Sequence, residues 1–391
     1  MDILNDPARV QEVQKQERIR KQQESRFSAK FNECVGIYLL LLGSAIAVAA
    51  LYGQWLTGQT NGWSVYVSGA AGWLCMYTLL HKYFPRWTWG GYGPLTPIKK
   101  AMLVTSCDTM LGYYMVKRLD WICTIFAGTK NPDGELPKRL LKECSNRIVI
   151  LPLDVTSDES VTQATKIMEQ HLIRRNHDLW GIFNNASVTV RGEVEWTPVD
   201  IFKQLAEVNI YGMVRITKAC LPLIRKNQGR IVNMHDRHGR FTVPGCAAYG
   251  MTKYAAESFS DALRYEMHQW GVKVCALEIN KNFNGIHDVI KGGDLWDSLD
   301  EKSMRHYGRT YYDNRTSSWE RERESGDSDL REIVTAAFDG LLSRVPRQRY
   351  YIGGIGPMIK TYLYSTMPSG LLDKLIGKQY SSGTIPLALD R

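Results

Sequence analysis

The sequence predicts a doubly wound parallel α/β sheet, preceded by two membrane-spanning helices. After Pro97, short apolar runs alternate with amphipathic helical patterns, and two uncharged stretches of near-membrane length come before that point. The 391 residues suffice for a large domain and an appendage, and 44% apolar with 23% charged residues excludes disordered and collagen-like chains. Eight scattered cysteines form no CxxC pair, so we expect reduced, mostly buried thiols.

A charged arm, residues 1–33, comes first and is followed by the predicted transmembrane hairpin, residues 34–84. Val35–Gly53 is free of charge and long enough to cross a bilayer, whereas the second run, Trp63–Leu80, is marginal. Lysines and arginines flank both outer ends and are missing from the turn, so the positive-inside rule puts both flanks in the cytosol. A buried helical pair in a soluble core is the alternative.

From this hairpin we expect a multi-pass protein in the membrane of the endoplasmic reticulum, with the α/β domain in the cytosol. The arm contains many acidic residues and few serines, which makes it a poor mitochondrial transit peptide. A mitochondrial membrane is therefore the weaker alternative.

Seven apolar runs are the predicted strands of a domain that spans residues 97–354. They are Ala101–Thr105, Trp121–Ala127, Arg147–Leu153, Trp180–Asn184, Arg230–Met234, Lys273–Glu278 and Arg349–Ile352. Helical patterns fill the gaps at Val161–Leu172, Val199–Asn227, Tyr249–Trp270 and Asp329–Leu342. A sheet of this kind binds ligands outside the carboxyl ends of its strands, where the strand order reverses.

Polar side chains at those strand ends are the candidate site. Lys253 follows Tyr249 by four residues, so both lie on one helix face, and an ammonium there favours the phenolate and lowers the pKa of the tyrosine. An isolated Tyr-x-x-x-Lys is also common as a surface pair. Asn184 and its neighbour Asn185 end a strand, where amides tie adjacent loops together, and Asp154 ends another, where it would accept from an adenine amino group.

In this order and spacing, these residues and Asn209 resemble the short-chain dehydrogenase/reductase family, whose fold is Rossmann-like, over about Ala101 to Gly353. Phe126–Gly128, Val214–Lys218 and Glu257–Arg264 are similar to the branch with 17β-hydroxysteroid, retinol and D-β-hydroxybutyrate dehydrogenases. The resemblance implies catalytic roles for Tyr249, Lys253, Asn209 and the residue at position 236. It implies cofactor contacts from Thr105, Ser106, Met110, Gly112, Asp154, Asn184, Ala186 and Lys253.

The chain departs from the family's pattern at the first turn and at position 236. Of three glycines in Thr-Gly-x-x-x-Gly-x-Gly only Gly112 remains, and Met110 puts a bulky side chain where a pyrophosphate is expected. Asp236 stands where the family has a serine that hydrogen-bonds the substrate oxygen. An ionised carboxylate only accepts hydrogen bonds and opposes ionisation of Tyr249, whereas a protonated Asp236 would still donate.

Two hypotheses about function remain open. One is a membrane-anchored NAD(P)-dependent oxidoreductase that interconverts a hydroxyl with a ketone or aldehyde on a lipophilic, steroid- or retinoid-like substrate. The other is a catalytically impaired dehydrogenase fold that acts as a membrane-bound binding or scaffold module. The choice between NAD and NADP is also undecided. Gly128–Lys130, after the second predicted strand, contains no acidic residue and one basic residue, which favours NADP. Members of the similar branch with an apolar turn at this place use NAD.

The last segments predict a lid and an apolar tail. Residues 282–326 are aromatic and charged and are expected to cover the substrate, with a solvated irregular loop as the alternative. The tail, residues 355–391, is expected to lie against the bilayer or the lid. Metal-ligand spacings and basic runs beyond the membrane flanks are missing, so we expect no metal and no nucleic acid. A lipophilic small molecule, the membrane and a second copy in a homodimer are the expected partners.

Overall fold

Nine strands are found among the residues that the computed structural model describes, namely Leu95, 99–286, 288–289, 295–381 and 386–389. They are β1 Lys100–Val104, β2 Thr124–Thr129, β3 Ile148–Pro152, β4 Asp178–Asn184, β5 Val188–Thr189, β6 Arg230–Asp236, β7 Lys273–Ile279, β8 Asp288–Val289 and β9 Arg349–Ile352. Seven of them form one parallel sheet in the order β3-β2-β1-β4-β6-β7-β9, and β5 pairs separately with β8. The prediction of a doubly wound parallel sheet is confirmed.

Helices follow the strands and cover both faces of this sheet. They are α1 Met110–Leu119, α2 Glu135–Glu143, α3 Asp158–Arg175, α4 Val199–Ala206, α5 Met213–Lys226, α6 Ala247–His268, α7 Glu301–Tyr307, α8 Arg309–Glu324, α9 Arg331–Leu342, α10 Ile355–Thr366 and α11 Ser369–Ser381. The predicted helix Val199–Asn227 is interrupted by a π-helical turn, Glu207–Gly212, which joins α4 to α5. The second strand begins at Thr124, three residues later than predicted, and extends to Thr129.

The sheet is held by two apolar layers, one on each face. Side chains of α1 and α9, such as Met115 and Ala337, pack on one face, and those of α3, α5 and α6, such as Ile216 and Leu263, pack on the other. Both faces are covered, which explains why the strands are continuous apolar runs rather than alternating ones. The strand order reverses between β1 and β4, so the crevice for a ligand lies at their carboxyl ends.

A buried charge network joins β9 to the elements beside it. Arg349 donates to Glu257 at 2.6 Å and to Glu278 at 2.8 Å, and Arg240 donates to Glu278 at 3.1 Å. Burial acts to lower the pKa of Arg349, but Glu257 and Glu278 raise it. Burial acts to raise the pKa of Glu257, but His235 and then Arg349 lower it. Removal of one partner would leave buried charge uncompensated, so the network stabilises the native packing only while it is complete.

The predicted arm, residues 1–33, and the hairpin, residues 34–84, lie outside the described residues. Within the described ranges, no helix combines the length and the apolar content that crossing a bilayer requires. Over the same ranges, no group of three or more potential metal ligands occurs.

Candidate active site

The turns after β1 and β4 are tied together where the strand order reverses. The Thr105 hydroxyl accepts from the backbone N–H groups of Asn185 (2.9 Å) and Ala186 (3.0 Å), and the Asn185 amide donates to the Thr105 and Ser106 carbonyls, both at 3.1 Å. Asn185 therefore links the two loops, as its position predicts. The Asn184 amide nitrogen donates to Asn233 in the sheet at 2.8 Å and to the Thr217 hydroxyl at 3.2 Å.

Ser106 has a backbone conformation that glycine adopts readily and other residues rarely do. Its φ is +50°, in the left-handed region that costs a non-glycine residue roughly 1 kcal/mol. The Asn185 amide holds its carbonyl in that position. The surviving glycine is required, because a Cβ at Gly112 would lie 2.2 Å from the Ser106 carbonyl oxygen. Close packing at Gly112 and the hydrogen bond from Asn185 thus fix the first turn.

The start of α1 is in contact with the segment that follows β7. Thr109 caps the helix by accepting from the Gly112 N–H, and the Leu111 N–H donates to the Gly285 carbonyl at 3.4 Å. Gly285 has a φ of +74°, and a Cβ there would lie 3.1 Å from the Cβ of Met110. Amide groups at a helix N-terminus bind anions, so this segment competes with a phosphate for the Leu111 amide.

At the end of β2 the structure brings together an acid and a paired lysine, where the sequence suggested one free base and no acid. Lys130 forms a 2.8 Å ion pair with Asp154, which also accepts from the Thr156 N–H and hydroxyl at 2.9 and 2.7 Å. Burial acts to raise the pKa of Asp154, but these hydrogen bonds lower it overall. Asp108, in the first turn, accepts from the Thr129 hydroxyl at 2.8 Å. An acid therefore does lie at the end of β2, and the sequence interpretation missed it because it comes from a different loop.

Asn209 lies in the π-helical turn, and both polar atoms of its side chain form hydrogen bonds. Its carbonyl oxygen accepts from the Val188 N–H at 2.8 Å, and its amide donates to the Val188 carbonyl at 2.9 Å and to the Thr252 hydroxyl at 3.0 Å. Thr252 in turn donates to the Tyr249 carbonyl at 2.7 Å. Asn209 thus positions β5 against the turn of α6 that carries Tyr249.

Tyr249 and Lys253 lie one turn apart on α6, and both are buried. The Lys253 ammonium is 5.2 Å from the centre of the Tyr249 ring and donates to the Ser187 hydroxyl at 2.9 Å. Burial lowers the pKa of Lys253 to about 8, against the opposing effect of Asp236. Burial and then Asp236 raise the pKa of Tyr249 well above its usual value. The lowered tyrosine pKa expected from Lys253 is therefore wrong, whereas the opposing effect expected from an ionised Asp236 is found.

Asp236 is ionised and paired with a histidine. Its Oδ1 accepts from the His238 N–H at 2.8 Å and lies 2.6 Å from the His238 Nδ1, and it hydrogen-bonds the Tyr249 hydroxyl. Burial alone would raise the pKa of Asp236, but His238 holds it well below its usual range. Burial likewise opposes protonation of His238, yet Asp236 raises the pKa of this imidazole to about 9. The family's neutral serine is thus replaced by a carboxylate–imidazolium pair.

A cavity of about 270 Å³ lies against this pair. Tyr249, Asp236 and His238 line it, together with residues of α8, among them Tyr312 and Trp319. Gly245 makes the approach of α8 feasible, because its φ is +78° and a Cβ there would lie 2.3 Å from the Trp319 ring.

The predicted lid is helical rather than irregular over residues 295–324. Its aromatic side chains surround Trp196, which is 1% exposed, with Tyr312 at 5.0 Å and Tyr307 at 5.3 Å between ring centres. Two carboxylates that precede that tryptophan in the chain hold the lid by hydrogen bonds: Glu195 accepts from Tyr307 and Glu193 accepts from Tyr311, both at 2.8 Å.

Sequence reasoning missed Asp108, Ser187, Arg191, His238 and Cys246 as members of the site. For His238 a signal exists, because an Asp two residues before a histidine can accept from its backbone in an Asx turn. Ser187 directly follows Ala186, and its hydroxyl accepts from the Lys253 ammonium.

Comparison with known proteins places the chain among dehydrogenases. A family model described as short chain dehydrogenase matches residues 100–279. Mitochondrial D-beta-hydroxybutyrate dehydrogenase of Bos taurus is 33% identical over 71% of this chain and 83% of its own length. Estradiol 17-beta-dehydrogenase 2 of Mus musculus is 31% identical over 75% and 79%. Retinol dehydrogenase 7 of Mus musculus is 30% identical over 71% and 87%.

Solved structures agree on the fold. A short-chain dehydrogenase from Streptomyces avermitilis superposes with a TM-score of 0.56 at 21% identity, covering 73% of this chain and 98% of its own.

Proposed function

The chain belongs to the short-chain dehydrogenase family, and from this premise we propose a membrane-anchored NAD-dependent oxidoreductase that interconverts a hydroxyl with a ketone or aldehyde on a lipophilic substrate. The observation that carries the proposal is the pair of Tyr249 and Lys253 on one face of α6, with the Tyr249 side chain in the wall of the cavity. The names of the relatives, which refer to hydroxybutyrate, estradiol and retinol, support a hydroxyl or carbonyl compound as substrate.

The residues present fit a dinucleotide at the crevice beside β1. The Leu111 amide at the start of α1 suits a phosphate, and Asp108, whose carboxylate reaches Thr129 at the end of β2, suits the ribose hydroxyls. Lys253 is buried on α6. The Asp108 carboxylate would repel a 2′-phosphate, which is why we propose NAD rather than NADP. Gly285 must release the Leu111 amide when the cofactor binds. Bound NAD would supply or accept the hydride.

Tyr249 is the proposed proton carrier. Because its pKa is raised, the phenol is neutral and suited to donate a proton to a carbonyl oxygen, which favours reduction from this state. The Lys253 ammonium below the ring stabilises the phenolate that results, whereas the Asp236 carboxylate opposes it. His238 compensates part of that negative charge. Asn209 contributes by holding the helix turn of Tyr249 rather than by touching the reacting atoms.

The membrane hairpin and the lid complete the proposal. An anchor at residues 34–84 in the endoplasmic reticulum, with the catalytic domain in the cytosol, would give access to substrates dissolved in the bilayer. Val190, Phe283 and Leu295 make part of the cavity wall apolar, which suits such a substrate. We propose residues 282–326 as its cover and the tail, residues 355–391, as a further contact with the lipid surface. A homodimer is proposed from the family resemblance alone.

Two observations favour the second hypothesis, a fold that binds without turnover. The Gly285 carbonyl occupies the Leu111 amide, and Asp236 opposes ionisation of Tyr249. The first feature opposes cofactor binding and the second opposes proton transfer by Tyr249, while neither disturbs the packing of the fold.

Turnover of the full chain in mild detergent distinguishes the two hypotheses. We expect NADH consumption with estrone or retinal, and its loss in Tyr249→Phe. Saturable NADH binding without turnover on either carbonyl would replace the oxidoreductase by the binding module. The anchor is tested separately with tags at both ends of the chain, which should both be accessible from the cytosol; protection of either contradicts the hairpin.

A further inference from the structure

Lys253 carries a buried ammonium group that is held from a distant part of the chain. Lys253 is 2% exposed, and among the described residues its Nζ has one hydrogen-bond partner, the Ser187 hydroxyl at 2.9 Å. Ser187 is itself 4% exposed and lies 66 positions earlier in the sequence. A charge that is removed from water needs hydrogen bonds to replace its lost hydration. The Ser187 hydroxyl therefore stabilises this buried cation.

Ser187 lies on a stretch of backbone between β4 and β5 that is fixed on both sides. The Ala186 N–H donates to the Thr105 hydroxyl at 3.0 Å. The Val188 N–H donates to the Asn209 side chain at 2.8 Å, and the Val188 carbonyl accepts from it at 2.9 Å. Because side chains of other elements hold the residues before and after Ser187, its hydroxyl is an acceptor in a fixed position.

Other groups that face the ammonium would draw it away from that position. Burial lowers the pKa of Lys253 to about 8, while Asp236 and Glu257 act in the opposite direction by attracting the cation. Glu257 lies one turn further along α6, on the same helix face. His235, next to Asp236, is also near the ammonium, and burial lowers the pKa of its imidazole to about 4. A lysine ammonium on its flexible stem follows its partners, so an acceptor is required to keep it beside Tyr249.

We propose that Ser187 is a positioning residue, which holds the Lys253 ammonium 5.2 Å from the centre of the Tyr249 ring during the reaction. This inference rests on the proposed oxidoreductase function. When an alcohol is oxidised, the Tyr249 phenolate takes the hydroxyl proton of the substrate, and the hydrogen on the same carbon leaves as a hydride that reduces NAD to NADH. A cation close to Tyr249 stabilises the phenolate with which this step begins. Ser187 acts through Lys253 and not on the substrate.

Ser187→Ala removes the acceptor at the loss of one oxygen atom. We expect the ammonium to move toward Asp236 or Glu257 and away from the phenol, which makes the phenolate less stable. The kcat for oxidation should then fall by about ten- to a hundredfold, as is typical of a misplaced catalytic group. Ser187→Thr, which keeps a hydroxyl on the same carbon, should restore it.

The pH profile of kcat is the readout that a merely structural role would not move. A less stable phenolate forms at higher pH, so in Ser187→Ala the rise of kcat with pH should move to higher pH. The other groups that face Tyr249 stay in place in this variant. They are Asp236 and Cys246, which after burial raise the pKa of Tyr249, Arg191, which lowers it, and the His238 ring at 5.8 Å. A shift of the profile therefore reports the position of Lys253.

The test is oxidation of retinol or estradiol by the full chain in mild detergent with NAD, from pH 6 to 10.5. Ser343→Ala is the matched control, because Ser343 is a buried serine at the end of α9 and does not line the cavity. Its kcat and pH profile should equal those of the wild type. A wild-type kcat and pH profile in Ser187→Ala would overturn the proposal, and so would a weaker affinity for NADH as the single change.

A second readout does not depend on turnover. The free energies of unfolding in urea are compared for the wild type, Ser187→Ala, Lys253→Met and the double variant. Ser187→Ala should destabilise the wild type but have little effect beside Lys253→Met, because the hydroxyl then has no ammonium to accept from. Equal effects in both backgrounds would overturn the contact. A wild type that shows this coupling but oxidises neither alcohol would refute the oxidoreductase, and with it the part of Ser187 in the reaction, whereas turnover that Ser187→Ala leaves unchanged refutes this proposal alone.

Discussion

His238 keeps its proton to higher pH in the folded chain than a free histidine does. The pairing of His238 with Asp236 can therefore be measured from the pH dependence of the free energy of unfolding. Burial opposes the charge, but the carboxylate raises the pKa from 6.5 to about 9. At 1.36 kcal/mol for each pKa unit, the difference corresponds to about 3 kcal/mol of unfolding free energy. Below pH 6.5 both folded and unfolded chains bind the proton, so the contribution is fully present there. It is lost as the pH rises through 9, where the folded chain also releases the proton.

The assay is urea unfolding of the full chain at pH 6, 8 and 10, compared between the wild type and His238→Gln. We expect the stability advantage of the wild type to fall by about 3 kcal/mol over this range. His306→Gln, at an exposed position of α7, should follow the wild type at every pH. A constant difference between wild type and His238→Gln from pH 6 to 10 would refute the imidazolium and with it the assignment of Asp236 as an ionised partner.

Three further predictions concern the charge network, the lid and the reaction. Arg349→Leu should lower the free energy of unfolding by about 3–5 kcal/mol because it leaves two buried carboxylates, Glu257 and Glu278, with Arg240 as their one remaining arginine partner. Arg331→Leu, an exposed change, should not move the urea midpoint. Trp196→Ala should lower the free energy of unfolding by about 3–5 kcal/mol and raise KM, because Trp196 is buried among the aromatic side chains of the lid. Trp270→Ala, at an exposed position, should change KM little. Tyr249→Phe should abolish turnover but leave the Kd for NADH within about twofold, measured by calorimetry, because the phenol acts on the substrate oxygen.

Patterns with a fixed local period were readable from the sequence. Apolar runs predicted the parallel sheet, and the spacing of Tyr249 and Lys253 predicted that they share a helix face. The replaced residues Ser106, Met110 and Asp236 also marked where the site departs from its family. These features depend on neighbours along the chain or on one element.

Contacts between distant segments were not readable. In the sequence Lys130 is a base with no acid near it, but in the structure it forms a 2.8 Å ion pair with Asp154. Asp108 reaches the end of β2 from another loop. Gly285 is 174 positions from Leu111, and no pattern predicts their hydrogen bond. The raised pKa of Tyr249 results from burial and from Asp236 together, which only the folded arrangement determines.

The most direct test of the proposed activity is titration of the full chain with NADH and NADPH, followed by nicotinamide fluorescence. The account predicts saturable binding that is tighter for NADH, with Asp108→Asn reducing the preference and Lys253→Met weakening both. Tighter binding of NADPH would contradict the role of Asp108. No saturable binding of either cofactor would contradict the central claim that this chain is an NAD-dependent oxidoreductase.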